Sequence, residues 1–520
     1  MKRQIAFPLV LSITILLLLG GMLYAILAAP TQSSKKLAMT SKHQPTPKIT
    51  ATAANKASAE PTMPNDTSAP QTKITKKYIR IQATDSSLWK YNRKTHSLII
   101  TGNGGTNSEN AAIIDADSQM DMDDGQRYNI GSFSLDSTAK GRHAANELIT
   151  KTEKIIIKDG ITTINSAAFA SFQSLTKITI PNSVKKIGDF ALKDCKRLQQ
   201  ITIPDNVRSI GTECFGGCRS LRKIVFGKHL ASLGTAPFMQ CYSLKSIVIK
   251  QGNTHFLKSN GCLYDHSQKK LYLHYADYHT LHISQGTTDI DDFAFAGRKN
   301  LQQIIIPASV VKIGGGAFEN CTNLYDIKFE SGSNCNSMEN YPNNPGSSPI
   351  QNCKNLRTFQ MPNRIRYISK YFFEGCDSLE SVSFGKNFRG YQMTFGDENI
   401  FDDSSSLLSK KLQKIKVAKS NPYLESIDGI LYDKQQKRLL LYPRGRISTT
   451  YRVPKGTKSM SDSAFRLCDR LQTVIISDKK LKLHYKRLFE DCKHVTLYVK
   501  SNSQVLNYAK KCNINYKIIN

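Results

Sequence analysis

Leucine recurs at a fixed interval along this chain: Leu175, Leu198, Leu221 and Leu244 are each 23 residues apart, Leu301 and Leu324 repeat the step, and so do Leu356 and Leu379. Weaker copies centre on Leu407, Leu471 and Val495, which makes eleven units. In Leu175-x-x-Ile178-x-Ile180 the apolar residues alternate with Lys177 and Thr179, as a half-buried strand requires, and Pro181 ends the strand by withholding an N–H. Ile187-Gly188 permits a turn, and Phe190-Ala191-Leu192 returns an apolar plug. A unit this short cannot cover its own apolar face, so it must stack on its neighbours with strands about 4.8 Å apart. Eleven units then span on the order of 50 Å along the ladder.

Two segments break the period in the same way. Residues 253–290 contain Gly261-Cys262-Leu263-Tyr264-Asp265 followed by Leu271-Tyr272-Leu273, and residues 421–459 contain Gly429-Ile430-Leu431-Tyr432-Asp433 followed by Leu439-Leu440-Leu441-Tyr442. Each reads as an inserted β-hairpin with Tyr-Asp opening its turn. The repeats therefore fall into three blocks, at 151–252, 291–420 and 460–520, the last ending in a cap. Within that cap the stretch from Ser501 to Lys511 has a Ser start and one apolar stripe, a short helix that covers the final apolar layer.

Ahead of the repeats, residues 78–150 begin with alternating runs, Tyr78-Ile79-Arg80-Ile81, Trp89-Lys90-Tyr91 and Leu98-Ile99-Ile100, which form a small β-rich opening module interrupted by a polar stretch over 103–147. Residues 30–77 are rich in Thr, Ala, Ser, Pro and Lys and bury too little to offset ordering, which predicts a disordered spacer. At the N-terminus Lys2 and Arg3 precede an uncharged apolar run from Ala6 to Ala29. At about 1.5 Å per helical residue it is long enough to span a hydrocarbon core of roughly 30 Å. Its length favours an uncleaved signal-anchor over residues 1–29 rather than a cleaved signal peptide, and either places the remainder outside the cytoplasm.

The repeat pattern C-x-x-L-x-x-I-x-I-P-x-x-V-x-x-I-G-x-x-A-F, the G-x-L-Y-D inserts, the W-x-Y and L-x-I-x-G opening at Trp89 and Leu98, and the terminal Tyr498-Val499-Lys500 with Tyr508-Ala509-Lys510 resemble the BspA-like leucine-rich-repeat surface proteins over about residues 88–520. The resemblance implies a leucine-rich-repeat solenoid of short parallel strands with irregular or short-helical return segments. It also implies a bacterial cell-surface or secreted protein that acts in adhesion and partner binding without catalysis. It does not define one ligand.

Eight of the twelve cysteines, among them Cys195, Cys218, Cys241, Cys321 and Cys492, occupy one repeat position, which points to buried free thiols; Cys214 and Cys218 are the pair to inspect for a bridge. Five histidines, His255, His266, His274, His279 and His282, cluster near the first insert, and surface or edge positions account for them better than a metal site does. The acidic run from Asp115 to Asp124 misplaces the glycine of a calcium loop and lacks its closing Glu, so it reads as a solvated loop. No nucleophile elbow, metalloprotease helix, phosphate loop or dinucleotide fingerprint is present, so neither an enzyme nor a cofactor is expected. The net charge of +31 is the one feature that favours nucleic acid, and an exported location argues against that partner.

Stacked strands line up their outward residues. One column reads Lys177, Gln200, Lys223, Ser246, Gln303, and its neighbour reads Thr179, Thr202, Val225, Val248, Ile305. The expected ligand-binding residues are Lys177, Lys223, Val225, Val248 and Ile305, extended by Lys328, Lys414 and Lys416. The partner they imply is an extracellular or host protein; the alternative is an anionic wall polymer or glycan held by the basic surface, with the membrane engaged through the N-terminal helix.

Overall fold

The computed structural model describes residues 72–82, 87–102 and 139–519, apart from 345, 370, 392–408, 482, 484–486 and 493. The expected membrane helix, most of the spacer, the acidic run and Leu407 lie outside the described residues. Among the described residues no helix is long and apolar enough to cross a membrane.

The repeats wind into a parallel-strand solenoid of about 15 turns. Each full turn contributes one strand to a long ladder, such as Lys177–Thr179, Gln200–Thr202, Lys223–Phe226 and Ser246–Ile249. It contributes a second, two-residue strand to a short ladder, such as Lys186–Ile187, Ser209–Ile210 and Ser232–Leu233. Pairing is parallel and in register, so Lys223 lies between Gln200 and Ser246, and Ser209 lies between Lys186 and Ser232. The inward column Leu175, Leu198, Leu221 and Leu244 is fully buried. Each such side chain contributes about 2 kcal/mol relative to exposure.

The return segments also bond from rung to rung, with Phe190 N–H donating to Thr212 C=O and Asp194 N–H donating to Gly216 C=O, both within 2.8 Å. They bend through left-handed residues: Asp194, Gly217, Asn320 and Gly375 have φ of 59°, 73°, 60° and 69°, each directly before a column cysteine. The thiol then donates to a carbonyl of the preceding rung, Cys195 to Phe169 at 3.2 Å, Cys218 to Leu192 at 3.1 Å, Cys241 to Phe215 at 3.0 Å and Cys321 to Phe295 at 3.0 Å. The recurrent cysteine is therefore a small buried donor that satisfies a backbone acceptor inside the turn. All twelve cysteines are free, Cys214 and Cys218 included, and burial pushes both of those thiols well above their ordinary range.

Both inserts form antiparallel meanders. Strands Phe256–Ser259, Cys262–Asp265 and Lys270–His274 make the first, and Leu424–Ile427, Ile430–Asp433 and Arg438–Leu441 the second. Their last strands join the short ladder, Leu271 pairing with Ile290 and Leu439 with Met460. The long ladder restarts after each insert at Thr280–His282 and Thr450–Arg452, rungs that carry no repeat leucine. Of the five clustered histidines, His274 departs from the expected surface position: it is fully buried with Nδ1 3.3 Å from Cys262 Sγ, and burial lowers its pKa to about 4.

The opening module is continuous with the repeats, because Ser97–Thr101 pairs in parallel with Lys154–Ile157. Its polar stretch ends in a helix, Ala139–Lys151, that the polarity of the sequence concealed; Ala144, Leu148 and Ile149 are buried, and Glu147 pairs with Arg93 at 2.7 Å. In the second block a rung falls at Leu412, beyond the expected centre at Leu407, with strand Lys414–Val417 paired to Ser381–Phe384. At the end, the expected helix forms over Gln504–Lys511, with Ser503 accepting from Leu506 N–H. A final strand, Asn515–Ile519, adds one more rung.

Two outcomes follow from this packing. A Cβ on Gly211 would come within 2.4 Å of Asp189 N on the adjacent rung, so Gly211→Ala should cost about 2–3 kcal/mol, read as a lowered urea midpoint; an unchanged midpoint would contradict the rung spacing. In the native protein an aromatic disulfide reagent should label only the partly exposed Cys492 and Cys512, and all twelve thiols should react only after unfolding. Rapid labelling of Cys218 in the folded chain would rule out the buried column.

Candidate binding surface

Outward residues of the long ladder form rows because every pair is in register. Lys154 faces Lys177, and Gln200, Lys223 and Ser246 continue on the following rungs. The next row brings Val225 directly beside Val248, with Thr202 on the other side. A third row, one residue earlier in each strand, carries Arg222 and Lys245, held on adjacent rungs by Lys245 N–H donating to Arg222 C=O at 3.1 Å. These two cations escaped the sequence reading, although the same 23-residue offset that locates Lys223 locates them.

Lys177 and Lys223 flank a shallow groove of about 360 Å³ whose other walls are Thr176, Gln199, Gln200 and Arg222. Val225 is half-buried and Val248 is 37% exposed, so the valine pair borders the cationic groove as a small apolar patch. Across the five long strands of the first block, Glu153 is the one acid on the three outward rows. The surface thus offers ammonium and guanidinium donors beside aliphatic carbon, a combination suited to an acidic partner with an apolar anchor.

The expected strip stops at Val248. The first insert separates that rung from Ile305, which lies on another sheet between His282 and Lys328. At this seam Lys258 Nζ, from the insert, donates to Ile247 C=O at 3.0 Å and occupies the bonding position of a following strand. Lys245 reaches Asp277 at 3.0 Å, and that hydrogen bond holds the Asp277 carboxyl below its usual range. Lys328 is exposed and lies 3.4 Å from Asp326 on its own strand, which reduces its local charge.

Lys414 and Lys416 stand opposite Ser381 and Ser383 at the end of the second block. Lys414 lines a second groove of about 400 Å³ with Gln413, Asp428, Gly429, Arg446, Ile447 and Ser448. There the Arg446–Asp428 pair is 2.7 Å long, and Ile447 is 73% exposed. The structure therefore brings together Lys177, Lys223, Val225 and Val248, and leaves Ile305 with Lys328 and Lys414 with Lys416 as two separate groups. Among the described residues no three His, Cys, Asp or Glu side chains converge into a metal-ligating group.

The family profile described as a BspA type leucine rich repeat region in six copies matches residues 146–269, 267–408, 346–424 and 447–517. Similar solved structures include a leucine-rich repeat protein of Eubacterium ventriosum, 18% identical with a TM-score of 0.41, which covers 68% of this chain and 94% of its own. A leucine rich cell surface protein of Faecalibacterium prausnitzii is 20% identical with a TM-score of 0.41 over 68% of this chain and 97% of its own. The pneumococcal vaccine antigen PcpA is 15% identical with a TM-score of 0.40 over 86% of this chain and 100% of its own. No curated protein matches the chain.

Because Val248 points outward while Leu244 is fully buried on the same rung, their substitutions should separate. Val248→Asp should change stability by less than about 0.5 kcal/mol, whereas Leu244→Ala should cost about 3 kcal/mol in chemical unfolding. Equal losses would show that Val248 is part of the core and not of a surface.

Proposed function

The chain belongs to the BspA-type leucine-rich-repeat family, and from that premise we propose that it is a non-catalytic, cell-surface binding protein that engages an extracellular or host protein through the first repeat block. Repeats of this family generally serve as binding scaffolds and are typically displayed at the cell surface. The observation that carries the reading is the in-register pair Val225 and Val248 beside the groove of Lys177, Arg222 and Lys223. An exposed aliphatic pair on a rigid sheet provides an anchor at little entropic cost, while the flanking cations speed encounter with an acidic face and fix its orientation. Ile305 with Lys328, and Lys414 with Lys416, extend contact along the solenoid when the partner is long enough to cross the seams. In this reading the apolar run from Ala6 to Ala29 retains the protein at the membrane, and the Lys-rich spacer carries the solenoid outward.

The full chain in detergent micelles, immobilised and exposed to matrix and envelope extracts, should retain a saturable partner at both about 0.15 M and about 0.5 M salt, since apolar contact survives screening. Val248→Asp should weaken capture of that partner at least about tenfold, equivalent to about 1.4 kcal/mol. Retention that disappears at the higher salt and is indifferent to Val248→Asp would refute the reading.

A further inference from the structure

The short ladder exposes a different surface. Its outward positions are the two residues before the inward aliphatic residue of each rung, and they are also held in register: Arg208 N–H donates to Lys185 C=O at 2.8 Å, Arg389 N–H to Arg366 C=O at 2.8 Å, and Lys458 N–H to Lys437 C=O at 2.9 Å. In three of the solenoid's segments the same row thus places two cations on consecutive rungs, about 4.8 Å apart. Lys185, Arg208, Arg366, Lys437 and Lys458 are exposed and have no ion pair among the described residues. Arg389 is oriented by stacking 4.3 Å over the Tyr423 ring and donating to its hydroxyl at 2.5 Å.

Among the described rungs of this face, Asp289 is the one residue that brings a carboxylate to either outward position, and it lies between Lys270 and Lys312. The long ladder differs, since Glu153, Asp326 and Glu380 intersperse acids among its cations. Like charges stacked on neighbouring strands cost stability, and a surface needed for solubility alone mixes both signs. The repulsion at the three pairs is relieved when one anionic group bridges each pair.

We propose that the short-strand face is a docking track for a linear phosphodiester polymer, with Lys185–Arg208, Arg366–Arg389 and Lys437–Lys458 as successive phosphate clamps. Two cationic donors on adjacent rungs suit the two non-bridging oxygens of one phosphodiester, and Arg supplies the planar fork that phosphate geometry favours. The track is separate from the valine-centred surface, so one chain can hold an anionic envelope polymer and a protein at once.

The test uses the full chain in detergent micelles and fluorescently labelled poly(glycerol phosphate), with binding followed by anisotropy across a salt series. The wild-type protein should bind saturably, with affinity falling steeply as salt rises. The double variants Lys185→Glu/Arg208→Glu and Lys437→Glu/Lys458→Glu should each weaken binding several-fold, and the quadruple variant at least about tenfold. The charge-matched Lys177→Glu/Lys223→Glu variant should lose less than about twofold. The two pairs are read independently, so a folding defect in one, seen as a shifted circular-dichroism melt, leaves the other decisive. An equal loss in the Lys177/Lys223 variant, an absence of saturable binding, or tighter binding of heparin than of poly(glycerol phosphate) at equal charge concentration would overturn the proposal. None of these outcomes depends on capture of a protein at Val248.

Discussion

Every feature of this molecule depends on the parallel hydrogen-bond ladder that repeats from one rung to the next, because it makes each residue the neighbour of its own counterpart in the adjoining turn. Leu198 packs between Leu175 and Leu221 not by chance complementarity but because backbone bonds such as Arg222 N–H to Gln199 C=O at 2.8 Å leave no other register. The interior is then an array of like on like, seen in the stacked rings of Phe215 with Phe238 at 5.8 Å and Phe295 with Phe318 at 5.0 Å. Stability becomes a sum of rung terms and nearest-neighbour terms. The same close approach leaves no room for a side chain at Gly211 and makes a small thiol, rather than a larger donor, the residue that satisfies the return-segment carbonyl.

A ladder that depends on continuity is vulnerable where continuity fails, and the two inserts show how the chain manages this. At the start of each, one asparagine bonds in both directions. Asn253 donates to Gly227 C=O and Leu230 C=O while accepting from His255 and Phe256 N–H. Asn421 repeats the arrangement with Gly385, Phe388, Tyr423 and Leu424. Four bonds from one amide use its full capacity and replace backbone partners that the interrupted period removes. Beyond the first insert Arg298 stands at the cysteine position and reaches back to Leu244 C=O at 3.3 Å, across the seam. A cysteine is too short for that span.

The solenoid and the outward direction of Lys177, Lys223 and Val248 were legible from the sequence because both follow from a single period. What the sequence concealed has a common cause: positions where long-range contacts, not spacing, decide the outcome. Leu412 is a rung because its strand pairs with Ser381–Phe384, although 33 residues separate it from Leu379. Thr280–His282 and Thr450–Arg452 became rungs without a repeat leucine because a neighbouring strand recruits them. The helix Ala139–Lys151 buries so narrow a stripe that its sequence reads as polar. The Val248-to-Ile305 strip failed for the converse reason: column arithmetic carries no information about an insert that ends one sheet and begins another.

In-register stacking also dictates what the surface of such a protein can do. A substitution on one outward rung meets the equivalent residues on both neighbours, so charge placed there is reinforced or cancelled rung by rung and not averaged over the surface. On the long ladder the rows alternate cation, amide, hydroxyl and valine, and Lys328 lies 3.4 Å from Asp326, which leaves small, chemically distinct patches able to discriminate among folded partners. On the short ladder, cations repeat where the row could have alternated, and each rung presents only two residues to solvent before the chain turns inward. So narrow a strip cannot enclose a folded epitope, but it can follow an extended one. The geometry of the ladder thus sets a broad face of mixed chemistry against a narrow cationic one.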